Sequence, residues 1–287
     1  MMESAEMEPA ENGLPAAIYP VRILREQVTA LEAAMMQAIS EPTTGPVHRL
    51  RTTTRRMEGQ LALLEAVLGD AADPKHAARV RRMLQRVRRA AGRVRDLDVQ
   101  CQMLQSLCAD GQPANLAREA GHLRGALERK REERAAGLSE GMEKHSAKLT
   151  RRMEKLLKAL APVEDQSIAP ARLQQAVREF YQARAAEAQA GADRLHDQRK
   201  AAKLARYMAE TAKTPEGWVD RGVAEWAKKF ESLQKSGGEW HDLFTLARIA
   251  RRSLGRGSAL AVYLKAQRAQ ALSAYEGQLA DFADCKE

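Results

Sequence analysis

Residues 80–97 read VRRMLQRVRRAAGRVRDL, and their spacing decides the fold class. Val80, Met83, Leu84, Val87, Ala91 and Val94 recur at three- and four-residue steps, the stripe of an amphipathic helix with one buried face. At about 100° per residue, Arg82, Arg86, Arg89 and Arg93 fall on one flank of that stripe, and Arg81, Arg88 and Arg95 on the other. The helix is cationic on both sides of its core edge. Elsewhere aromatics make up only 4% of the chain and Ile occurs five times, while Ala, Leu, Arg, Glu and Gln dominate. Strong helix formers with so few β-branched and aromatic residues predict an all-α protein.

The 287 residues suffice for one large domain or two ordinary ones. Lys and Arg number 47 against 38 Asp and Glu, a net charge of +9. That excess is local: residues 46–97 carry +8, whereas residues 1–45 carry −5. Residues 1–17, beginning MMESAEMEPAENG, read as a flexible acidic tail with no secretory signal. No stretch approaches the roughly 20 apolar residues of a membrane span. Cys101, Cys108 and Cys285 form neither an even disulfide set nor a CxxC pair, which suits a reducing compartment. A cytoplasmic protein without a membrane partner is expected.

Pro and Gly divide the chain into long helical segments. Breaks are expected at Glu41–Pro46, Gly69–Pro74, Asp110–Pro113, Ala161-Pro162, Gly191, Thr214-Pro215, Ser236-Gly237-Gly238 and Gly255–Gly257. An internal repeat is also visible. VHRLRTTTRRM from Val47 matches LHDQRKAAKLA from Leu195, and GRVRDL from Gly92 matches GEWHDL from Gly238. Two related helical halves follow, 18–167 and 168–287.

His48, Arg51 and Arg55 stand at i, i+3 and i+7, on one arc of a helix. His196, Arg199, Lys203 and Arg206 repeat that arc in the second half. A single such face reads as solvated surface; two copies beside an arginine-rich helix would repel one another unless a polyanion neutralised them. Guanidinium groups present a fixed fork of donors that suits phosphate. Asp96 and Asp242, beside Arg95 and His241, read equally well as residues orienting a basic neighbour or as ordinary ion pairs. No HxxxH, HExxH or Cys/His cluster suggests a metal, and no phosphate loop, GxSxG motif or activated cysteine suggests an enzyme. Nucleic acid is the competing partner. Residues 20–179 contain no Phe, Trp or Tyr, so single-stranded bases would find no stacking platform there, and only backbone binding to a duplex stays open.

The segments VHRLRTTTRR (47–56), RRAAGRVRDLDV (88–99), LHDQRKAAKLARY (195–207) and GEWHDL (238–243) resemble the CHAD family, the conserved-histidine α-helical domain, from about residue 18 to residue 285. The resemblance implies two related four-helix bundles with pseudo-twofold symmetry and a basic central groove or pore. It further implies non-catalytic binding of inorganic polyphosphate, with association with polyphosphate granules. The implied binding residues are His48, Arg51, Arg55, Arg56, Arg88, Arg89, Arg95, His196, Arg199, Lys203, Arg206 and His241. The second copy departs from the first, with Gln198 and Leu204 in place of Leu50 and Arg56, so the first half is expected to dominate binding. Histidine protonation near pH 6.5 is expected to strengthen it.

Overall fold

Proline and aspartate set the helix starts. The computed structural model describes residues 17–109, 111–188 and 192–284; most of the acidic tail, the break at Gly191 and Cys285 lie outside them. Pro20 opens α1 (Pro20–Ser40), and Pro170 opens α5 (Pro170–Glu187), each filling a first-turn position whose N–H would have no partner. Asp73, held at φ 48°, caps α3 (Pro74–Ser106) by accepting from the His76 N–H, and Asp220 caps α7 (Arg221–Leu254) by accepting from the Val223 N–H at 2.8 Å. The remaining helices are α2 (Thr44–Leu68), α4 (Ala114–Leu160), α6 (Ala192–Ala209) and α8 (Ala259–Asp284). Eight α-helices are thus described. At Thr214-Pro215 the chain makes a minimal antiparallel pair, β1 (Lys213–Thr214) with β2 (Gly217–Trp218).

One expected break does not occur. α7 passes through Ser236-Gly237-Gly238 without interruption. Gly237 is there for closeness: a Cβ on it would lie 2.9 Å from the Tyr275 ring and 3.0 Å from Cγ of Arg199. Within a packed helix a glycine is tolerated at a cost of about 1 kcal/mol, and here it lets α8 and an α6 side chain approach. Gly59 does the same for α2, where an added Cβ would meet Cβ of Tyr207 on α6 at 2.9 Å.

In the first half α1 packs on α2 and α4, α2 on α3, and α3 on α4. In the second α5 packs on α6, α6 on α7, and α7 on α8. Contacts of α2 with α5 and α6, of α3 with α7, and of α4 with α7 and α8 join the two sets. One hydrophobic core holds the stripe expected on α3, with Val80, Met83, Leu84, Val87, Ala91 and Val94 all buried among α1, α2 and the second part of α4. The other core combines α5–α8 with Leu97, Leu104 and Leu107 at the end of α3 and Leu116, Leu123 and Leu127 at the start of α4. Between the cores, Gln60 of α2 donates to the Pro20 carbonyl (2.6 Å) and accepts from the Thr211 hydroxyl (2.8 Å). A buried amide satisfied on both sides fixes α2 against the chain leaving α6.

Candidate functional site

Four helices carry the cations to one place. Arg51 on α2 lies over Gly92 of α3, its Nη1 3.5 Å from where a Cβ would stand, and donates to Asp96 at 2.8 Å. Arg199 on α6 crosses α7 at Gly237 in a similar way; the repeat had matched Gly92 with Gly238, one residue on. His48 enters from the start of α2, which is anchored by Asp98: that carboxylate accepts from Thr44 (3.1 Å) and from Arg131 of α4 (2.9 Å).

Mutual electrostatic effects identify the members of the cluster. Lys203 is pushed from its ordinary 10.5 down to about 7, first by burial and then by Arg51, Arg55 and Arg199, with Asp242 opposing. His241 is pushed down to about 3 by burial, Arg199, His196, Arg51 and Arg248. Partial burial and the charges of Arg95, Lys203 and Arg51 lower His48, and burial with Lys200 and Arg199 lowers His196. The His196 and His241 rings face each other with centroids 4.9 Å apart. Arg199 is itself lowered, chiefly by burial, and Asp242 is raised by burial against the pull of Arg199. His48, Arg51, Arg55, Arg95, His196, Arg199, Lys203 and His241 therefore share one field, with Asp96 and Asp242 inside it.

The other expected residues divide. Arg88 reaches this field at one end, where it and Arg55 share the buried carboxylate of Glu58. Burial and Arg88 lower Arg55 to about 10, while burial raises Glu58 against the pull of Arg88 and Arg55. A cavity of about 390 Å³ lies against this trio and extends to Arg184 and Lys200. Arg56 and Arg206 instead bind one carboxylate, Glu210, at 3.2 and 2.8 Å, and Arg206 also meets Glu231 at 3.3 Å. Their charge is spent on protein carboxylates. Arg89 is exposed and makes no ion pair or hydrogen bond among the described residues. Arg248, on α7 beside His241, is a member that sequence reasoning missed; so is Glu58, although its i, i+3 spacing from Arg55 was visible.

What the cluster can do follows from its imbalance. Buried donors at Arg55 Nε and Arg199 Nε have no hydrogen-bond partner among the described residues, each an unmet demand of about 1–3 kcal/mol. Among the described residues no three His, Cys, Asp or Glu side chains stand together as a metal set, and no helix there is long and apolar enough to cross a membrane.

No curated protein matches the chain. Its structure is similar to the crystal structure of the CHAD domain from the plant Ricinus communis, with a TM-score of 0.62 at 18% identity over 97% of each chain. The family model described as CHAD domain matches residues 22–251. A match over most of the sequence, together with the same fold along nearly its whole length, places this chain in the CHAD domain family.

Proposed function

We propose that this protein is a non-catalytic binder of long-chain inorganic polyphosphate, acting in the cytoplasm and at polyphosphate granules. The polymer would occupy a basic groove where α2, α3, α6 and α7 meet, the two halves of the fold presenting related faces to it. One observation carries the reading: Arg51, Arg55, Arg199 and Lys203 converge in excess over Asp96 and Asp242, and burial together with the three arginines lowers Lys203 to about 7. A chain with one negative charge per phosphate supplies the missing anions in a row. Arg51, Arg55, Arg95, Arg199 and Lys203 are the principal contacts, with His48, His196 and His241 between them. Arg88 extends the path toward Arg184 and Lys200. Arg56 and Arg206, held by Glu210, contribute little.

The test is titration of the full chain with long-chain polyphosphate and, separately, with duplex DNA at matched phosphate concentration near physiological salt. Polyphosphate binding that DNA does not displace supports the reading. Affinity should fall steeply with salt, because each contact releases condensed counterions. Equal or stronger DNA binding would overturn it in favour of a duplex-backbone binder.

A further inference from the structure

On another part of the surface, α3 and α4 enclose a cavity of about 320 Å³ with a polarity of its own. Its apolar wall is Met83, Val87 and Ala90 from α3 and Leu138 and Met142 from α4. Its basic side chains are Arg82, Arg86, His145, Lys148 and Arg152, and no Asp or Glu among the described residues lines it. These five are distinct from the residues assigned to polyphosphate, and the inference does not rest on that assignment.

The helices are antiparallel here, as bonds from Arg152 to the Arg79 carbonyl and from Arg131 to Asp98 require. Arg82 therefore lies beside Lys148 and Arg152, while Ala90 lies near Gly141 and Leu138. The cavity is cationic at one end and apolar at the other. From Arg82 to Ala90 the helix rises about 12 Å at about 1.5 Å per residue, the length of a saturated chain of about eight to ten carbons. Gly141 opens onto the apolar end, where nothing lies within 4 Å of an added Cβ. A mid-helix glycine weakens its helix relative to Ala, and no close backbone approach calls for this one.

We propose that this cavity binds a single-chain amphiphile with an anionic head, a fatty carboxylate or alkyl phosphate, with the head between Arg82, Lys148 and Arg152 and the tail along Met83, Val87 and Met142. Apolar surface supplies the affinity and the charged end sets the orientation. The probe is octyl phosphate, titrated into the full chain carrying 13C-methyl methionine. The Met83 and Met142 methyl resonances shift, and binding is at least about a hundredfold tighter than for orthophosphate, the gain from about three to four fully buried methylenes at about fourfold each. Gly141→Leu fills the cavity while favouring the helix; it removes octyl phosphate binding and leaves polyphosphate affinity unchanged. Lys148→Glu weakens octyl phosphate about tenfold and leaves octanol, a tail without the charge, unaffected. Octyl phosphate binding no tighter than orthophosphate, or binding that survives Gly141→Leu, would overturn the proposal. So would methyl shifts given by anionic phospholipid vesicles and not by the free amphiphile, which would make this face a membrane contact.

Discussion

Replacing Lys203 by Arg separates the effect of charge from that of its titration. In the free protein Lys203 has a pKa of about 7, set by burial and by Arg51 and Arg55 on α2 and Arg199 on α6, with Asp242 on α7 opposing. At pH 8 only about a tenth of the molecules carry that proton. A phosphate chain in the site offsets the three arginines, though not the burial that is the larger cause, so Lys203 rises toward the ordinary 10.5 with uptake of up to about 0.9 proton per molecule bound. Polyphosphate affinity should then fall about tenfold per pH unit above pH 7, within a ceiling of about 3.5 decades. Calorimetry in two buffers of different ionisation enthalpy measures the uptake directly. Lys203→Arg, which stays charged, should take up almost no proton at pH 8 and bind more tightly there. The sign for stability is opposite to that of a stabilising pair. A cation whose folded pKa is depressed penalises the fold below pH 7, and the penalty is relieved as pH rises from 7 toward 10.5. Lys203→Met should therefore raise Tm at pH 6 without polyanion, by an amount corresponding to a few kcal/mol, while losing affinity. Uptake that is zero in the wild type, or the same in Lys203→Arg, would refute the account.

The remaining predictions concern compensation and packing. Arg51 has Asp96 and Arg55 has Glu58, whereas Lys203 has no ion pair among the described residues, so Lys203→Glu should cost at least as much polyphosphate affinity as Arg51→Glu. This reverses the dominance of the first half expected from the degenerate second motif; a loss confined to Arg51→Glu in filter-binding titrations would restore it. Gly237→Ala sets a clash with Tyr275 and Arg199 costing about 1–3 kcal/mol against a helix gain of about 1 kcal/mol, and should lower Tm by a few degrees. Gly238→Ala, with open space around it, should raise Tm by a similar amount; calorimetry showing the same sign for both would disprove the close-approach reading. Burial, Arg199 and the other cations hold His241 down to about 3, so the folded protein without polyanion loses stability as pH falls below the ordinary histidine value and the unfolded chain takes up the proton first. His241→Gln should therefore lessen the loss of Tm between about pH 7 and pH 5; an unchanged loss in calorimetry would refute this.

The helical class was legible because the stripe from Val80 to Val94 is a local signal, and all six of its residues are buried. The caps at Asp73 and Asp220 are local in the same way. Gly237 was misread because glycine means either a break or a close approach, and only the Tyr275 ring across the interface decides between them. Arg206 looked equal to Arg199 on its arc, and the family resemblance set Arg56 beside Arg51 and Arg55. Their carboxylate, Glu210, is 154 residues from Arg56, a pairing the fold creates and spacing does not announce. The histidine expectation rests on the ordinary value of a solvated ring, whereas burial and neighbouring cations lower all three rings, an effect that spacing does not announce.

The core that unites Leu97, Leu104, Leu107, Leu116, Leu123 and Leu127 with α5–α8 bears on how the chain is made. When residues 1–167 have left the ribosome, those six leucines lack the part of their cover that α5–α8 supply until those helices follow. The nascent chain then presents an apolar hairpin tip for the time needed to synthesise about 120 further residues, roughly 6–24 s at bacterial to eukaryotic rates. A stop codon after residue 167 should yield a product held by chaperones or cleaved near Ser106–Ala114, with the distal ends of α3 and α4 protected from protease only when the C-terminal helices are supplied.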